Sequence, residues 1–388
     1  MASTTAVQDF RDTGPRLLRL DPLLLLATLG LIAASVFTVR RATLGDIPSD
    51  PNYYVDRQLI YIGVGLVLMF ALSRFDYSRL REWKLGVYGF MIAAILLVYL
   101  LGFSARGSRR AIEFGFFNFQ ASELGKVLLV VALAGFTVDR ARRLGERETT
   151  SRIVLLALVP AMLVVAQPDL GSGLVYLAIV LAVLFVAGTK WTHFAALGAL
   201  GAVAIVVVVL AAPVAGVEVI KPYQMDRLTA FLNPSTDPVD EGYQINQSLT
   251  AIGSGGKTGR GDESTQTKLN FLPEHHTDFI FSVVGEEFGF VGAALVLSLF
   301  ALLIWRALRI LTMSKNFYGA LVAGGITAML MFQVFVNVGM TIGIMPITGI
   351  PLPLMSYGGS SVITTLLAIG LLQSIYAQAR ETAVAKGL

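Results

Sequence analysis

The chain has 388 residues, of which 55% are hydrophobic, 14% are charged and none is cysteine. A mean hydropathy of +0.70 excludes an ordinary soluble globule and reads as a polytopic membrane protein, while the lack of cysteine excludes disulfides and thiolate metal sites. The net charge of +4 mostly restates a bias in the loops between apolar runs, so it gives no reason to expect a nucleic-acid partner.

Apolar runs long enough to span a membrane recur at roughly 22–39, 57–73, 84–103, 122–138, 152–167, 171–188, 193–214, 279–305, 317–345 and 358–377. They predict an all-α fold of about ten transmembrane helices, a single transmembrane domain covering 1–388. The first run follows Arg11, Arg16 and Arg19 without a small-residue cleavage site, so it is expected to stay as an anchor. With both termini cytoplasmic, the inner segments hold 18 Lys or Arg and the short outer loops hold 6. That asymmetry sets the orientation.

An ionisable side chain inside a span costs roughly 2.5–3.5 kcal/mol on insertion scales, so each one is a functional candidate by default. The first group lies in "ARGSRRAIEFGFFNFQASELGKV". Arg106, Arg109 and Arg110 occupy an outer loop where the charge rule disfavours them, and Glu123 and Lys126 follow on one face of the next span. Arginines placed there point to an anionic ligand such as a diphosphate, with Lys126 joining them. A structural Glu123–Lys126 pair is the alternative. Next comes Asp169 in "QPDLGSG", a carboxylate at a helix junction with Ser172 close by.

Between the seventh and eighth spans lies a long extracellular insertion, 215–277, rich in Gly, Pro, Ser, Thr, Asp and Asn. Within it "EGYQINQSLTAIGSGG" predicts a short amphipathic helix ended by glycine. The stretch "LPEHHTDFIFSVVGEEFGF" then enters the eighth span with Asp278 at its outer mouth. On a helix Glu286 would lie about 80° round from Asp278, close enough to share a cavity, whereas Glu287 would point away. Helix capping is the plain alternative for Asp278. The adjacent His275 and His276 would face different directions on a helix and so are not expected to chelate zinc; one of them positioning a carboxylate or substrate hydroxyl fits better.

In the ninth span Gln333 and Asn337, spaced i, i+4, read as interhelical glue. After it, "GIMPITGIPLPLMSYGGSS" carries Pro346, Pro351 and Pro353, which exclude a regular helix. Non-helical, weakly polar backbone between two spans predicts a re-entrant wall. Carboxylates and cations gathered at one end of the bundle suit phosphate-leaving chemistry on a lipid-linked substrate. A proton-coupled transporter fits the same residues.

Four of these stretches, "FQASELGK", "QPDLGSG", "LNFLPEHHTDFIFSVVGEEFGFVG" and "NVGMTIGIMPITGIPLPLMSYGGSS", resemble the signatures of the shape, elongation, division and sporulation (SEDS) family. "AIGSGG" and "STQTKLNFLPE" resemble its elongation branch more than its division branch. The resemblance implies a peptidoglycan glycosyltransferase that polymerises lipid II at the outer face of the bacterial cytoplasmic membrane, with Asp278 as its essential aspartate. Asp278 would then act as catalytic base or as ligand of a divalent cation, Mg²⁺ or Mn²⁺. Arg109, Arg110, Glu123, Lys126, Asp169, His276, Glu286 and Ser356 form the expected substrate-binding set. Partners implied are lipid II, a single-span class B penicillin-binding protein, elongation-complex proteins and membrane lipids. Two positions depart from the family pattern: Ala111 replaces a usual Trp, and Ala121 replaces the proline of its "PSE". A flippase for the same precursor and an inert scaffold are the rival readings.

Overall fold

The computed structural model describes residues 20–385, apart from positions 45, 48, 106, 107, 116, 208–226, 228, 230, 232–240, 268 and 270. Apolar segments that leave water must pair every backbone N–H and C=O internally, and the helix does so within one segment. Ten helices accordingly occupy the expected runs among the described residues. They are α1 (Pro22–Ala42), α2 (Tyr53–Arg74), α3 (Lys84–Leu101), α4 (Ala121–Asp139), α5 (Arg147–Ala166), α6 (Leu170–Val186) and α7 (Trp191–Val206), and, beyond the insertion, α9 (Ile280–Met313), α10 (Phe317–Thr341) and α11 (Gly359–Ala385). The amphipathic helix expected in the insertion is α8 (Glu241–Ser254). Eight of the eleven are long and apolar enough to cross a membrane, and α6 and α7 are shorter apolar helices. The chain is a multi-pass membrane protein.

The core is built on α4, α10 and α11, whose apolar windows are mostly buried, while α3, α7 and much of α9 present leucine, valine and phenylalanine outward. At the end opposite the insertion, Asp21 caps α1 by accepting from Leu24 N at 2.8 Å. Its fully buried carboxylate also takes a bidentate fork from Arg306 of α9, and Gln373 of α11 donates to its carbonyl at 3.2 Å. One capped acid thereby ties three spans together.

Two features depart from the sequence reading. The outer loop before α4, in a fold expected to be all-α, holds a three-stranded antiparallel sheet of β1 (Phe103–Ala105), β2 (Ser108–Phe114) and β3 (Phe117–Phe119). And α9 is broken at Gly289, whose φ of 63° and ψ of −159° lie outside the helical region and are open to glycine without a Cβ clash. The break frees the N–H groups of Phe290 and Val291, and the insertion supplies their acceptors: Gly256 O at 2.9 Å and Lys257 O at 3.1 Å. In return Arg260 N donates to Glu286 O at 2.8 Å. The insertion is thus knitted into the span by main-chain hydrogen bonds.

Candidate functional site

Asp278 sits in the turn just ahead of α9 and is partly exposed. Three consecutive carbonyls around it are each held. Tyr357 N donates to His276 O at 2.9 Å, Ser356 Oγ to Thr277 O at 2.6 Å, and Asn337 Nδ2 to Asp278 O at 2.8 Å. Asn337 also donates to Ile350 O at 2.8 Å, and Ser356 Oγ accepts from Leu352 N at 2.8 Å. The donors come from α10 and from segment 342–358, which has the predicted re-entrant character. It is non-helical, and Ile350, Leu352, Leu354 and Met355 are buried. That burial is tolerated because α1 and α2 satisfy its backbone: Ser35 Oγ donates to Met355 O at 2.9 Å and Gln58 Nε2 to Ser356 O at 3.3 Å. Gly349 in this wall has φ +69°, and a Cβ built there would stand 3.4 Å from Asp278 Oδ2. The wall therefore passes directly beside the carboxylate.

Asn337 was read from the sequence as glue and does join elements, but what it joins is the backbone of Asp278 to the wall. Ser356 plays the same part at Thr277. Its position in the substrate-binding set meets a plain geometric fact: its hydroxyl is 1% exposed and occupied on both sides.

His275 and His276 lie in a turn, not on a helix, so the argument from helical directions does not govern them. Their ring nitrogens and the Asp46 carboxylate lie within 4.8 Å of one another, the spacing of a metal-binding cluster. The hydrogen bonds exclude that use for His275. Its Nδ1 is 2.9 Å from Leu272 O and its Nε2 is 3.0 Å from Ala42 O, two acceptors that require both nitrogens to donate. Burial lowers its pKa, but the neighbouring Asp46 and the two carbonyls outweigh that and raise it. His275 is thus a strut between α1 and the turn, in surroundings that favour its protonated ring. His276 is pushed the other way, chiefly by burial and then by His275. Its ring lies 4.8 Å from Tyr54 and 5.8 Å from Tyr357, and Tyr61 and Phe117 (5.9 Å apart) extend the aromatic shelf to β3. His276 Nδ1 is buried with no hydrogen-bond partner among the described residues.

The remaining expected residues divide by burial. Arg109 and Arg110 lie on β2, with their side chains outside the described residues; Arg106 is outside them altogether. Glu123 and Lys126 form a buried pair at 2.6 Å, with Lys126 only 1% exposed, so the structural pairing is what this conformation holds. Asp169 caps α6 through Ser172 N at 3.1 Å and also accepts from Ser122 Oγ at 2.9 Å and Gln120 Nε2 at 3.2 Å. It joins the outer ends of α4 and α6. Without the proline, α4 starts at Ala121, and Ser360 Oγ of α11 accepts from Gln120 N at 2.9 Å.

Glu286 does not share a cavity with Asp278. It is wholly buried and accepts from Thr265 N, Gln266 N, Thr267 N and Thr267 Oγ1 at 2.6–3.0 Å. Glu287, expected to point away, also meets the insertion, accepting from Ser264 Oγ at 2.5 Å. The two acids clamp the end of the insertion onto α9. The sequence reading also missed Asp46, Tyr54, Tyr61 and Gln58. Only Gln58, a polar side chain within an apolar run, gave a signal that burial would make it find a partner.

Stage V sporulation protein E of Bacillus subtilis is 37% identical over 94% of this chain and 98% of its own length. The peptidoglycan glycosyltransferase MrdB of Escherichia coli is also 37% identical, over 92% and 93%. A chain from a solved structure of a peptidoglycan synthase complex, described as coordinating polymerization and crosslinking, superposes with a TM-score of 0.78 at 33% identity, over 93% of this chain and 98% of that one. Residues 17–381 match the FtsW/RodA/SpoVE cell cycle protein family, and the chain belongs to it.

Proposed function

We propose that this protein is a peptidoglycan glycosyltransferase that polymerises lipid II into glycan strands at the outer face of the bacterial cytoplasmic membrane, in cell elongation. The observation that carries the reading is the fixing of three successive carbonyls around Asp278, which aims a partly exposed carboxylate from a rigid turn. A base needs that placement before it needs any particular pKa. In the proposed step a hydroxyl of the acceptor sugar attacks the anomeric carbon of the donor. The bond from that carbon to the polyprenyl diphosphate breaks, the hydroxyl proton passes to the Asp278 carboxylate, and the diphosphate departs with the bonding pair. Arg109 and Arg110, on β2 in the loop before α4, would supply positive charge for the diphosphate. The aromatic shelf of Tyr54, Tyr357 and His276 offers apolar faces to a sugar ring, in a chain where Ala111 replaces the family's tryptophan.

A single carboxylate fits Mg²⁺ or Mn²⁺, which keep several waters and share oxygens with substrate phosphates. In the alternative role Asp278 would hold such an ion instead of taking the proton, and the ion would offset charge on the departing diphosphate. The elongation role rests on the "AIGSGG" and "STQTKLNFLPE" segments, since the sporulation relative and MrdB match equally well. A class B penicillin-binding protein is the proposed partner, supported by the likeness to a chain of a synthase complex. Purified protein given lipid II, with and without Mg²⁺ or Mn²⁺, should form glycan chains. Precursor crossing a vesicle without polymer would favour the flippase.

A further inference from the structure

Basic side chains crowd the corner where α4 turns into α5. Arg140 caps α4, Arg142 and Arg143 follow in a short 3-10 turn, and Arg147 and Arg152 lie early on α5. Of the acids there, Asp139 is already held by Arg81 at 3.2 Å and Lys84 at 2.9 Å. A cleft of about 310 Å³ opens at this corner, lined by Arg140, Arg152, Leu155, Leu156 and Val159. Its floor is aliphatic and turned outward, with Leu155 57% and Val159 51% exposed. Arg140 makes one long contact, Nη1 to Phe136 O at 3.4 Å. Arg152 pairs with Glu148 in an exposed i, i+4 arrangement of a kind that holds weakly.

Two guanidinium forks above an aliphatic strip match an anion joined to hydrocarbon. The forks suit phosphate oxygens, and the strip suits an acyl chain. A free phosphate ion would satisfy the arginines and leave the strip bare. The charge bias of the loops puts this corner at the cytoplasmic leaflet, where basic pockets between spans collect anionic headgroups. We propose that the cleft binds one anionic phospholipid, with Arg140 and Arg152 on its phosphodiester and Leu155 and Val159 along an acyl chain. The bound lipid would brace the end of α4 away from the Asp278 rim.

The test is native mass spectrometry of the full chain in neutral detergent, titrated with phosphatidylglycerol, with phosphatidylcholine and inorganic phosphate in parallel. One phosphatidylglycerol should be held, and the Arg140→Gln, Arg152→Gln double variant should weaken it roughly 30-fold, at about 1 kcal/mol per cation. Glu148→Gln releases Arg152 from its exposed partner and should tighten binding a few-fold. Equal affinity for phosphatidylcholine, or an unchanged double variant, overturns the proposal. Displacement by millimolar phosphate assigns the cleft to a free anion and overturns the lipid. Should the double variant fail to fold, Glu148→Gln decides, and no tightening overturns it.

Discussion

Tyr357, Ser356 and Asn337 close on the carbonyls of residues 276–278, so the Asp278 side chain projects from backbone that cannot turn without breaking a hydrogen bond. Asn337 contributes one of these restraints, to Asp278 O, and the same amide nitrogen also donates to Ile350 O of the wall. Replacing it with leucine keeps the size and strands both buried carbonyls. Asn337→Leu should therefore still bind lipid II yet polymerise on the order of 10² more slowly, the cost of a misplacement near 1 Å. Steady-state kinetics check this, and an unchanged rate with unchanged stability contradicts it. The residue types of the site were legible because polar groups in spans are expensive and stand out. Their pairings were not. Asn337 and Asp278 are 59 residues apart, and no local pattern says which carbonyl an amide will meet.

Within α9 the helix pattern placed Glu286 and Glu287 by angle, and the angle did not decide their partners. The break at Gly289 lets the insertion approach closely enough to offer Thr265, Gln266 and Thr267 as donors to Glu286. Periodicity carries no sign of that approach, because the donors are backbone groups of a polar loop. Glu286→Gln puts an NH₂ against N–H donors and should destabilise by about 1–3 kcal/mol. Hydrogen exchange should show amides 264–267 opening first, with polymerisation falling less than for a change at Asp278. Unaltered exchange there contradicts the clamp. The strut from α1 to the turn is pH-dependent with a definite sign. The folded His275 pKa lies above its unfolded value, so its stabilisation is complete below the unfolded pKa and is lost as pH rises through the folded one. Thermal stability should fall on the alkaline side of that pKa, and His275→Gln should remove that part of the slope. An identical slope in the variant contradicts the assignment.

Across the whole molecule the apolar helices were legible from apolar length alone, eight of them long enough to cross a membrane among the described residues, because a segment in hydrocarbon has few other ways to satisfy its backbone. The small sheet at 103–119 was not, since its strands are three to seven residues long and, among the described residues, pair with one another alone. Orientation rests on the bias of 18 against 6 basic residues. The chain has no native cysteine, so Lys257→Cys and Arg142→Cys, both at exposed positions, can report it directly. An impermeant thiol reagent should label the first from outside in intact cells and the second only after lysis; the reverse pattern moves the site to the cytoplasm. Polymerisation at this site depends, in the proposed step, on the Asp278 carboxylate. Asp278→Asn nearly preserves size and leaves the three backbone hydrogen bonds in place, so it separates chemistry from architecture. Purified, folded Asp278→Asn protein given lipid II should bind it and form polymer slower by on the order of 10²–10⁴-fold. Polymer at the wild-type rate from that variant would contradict the account.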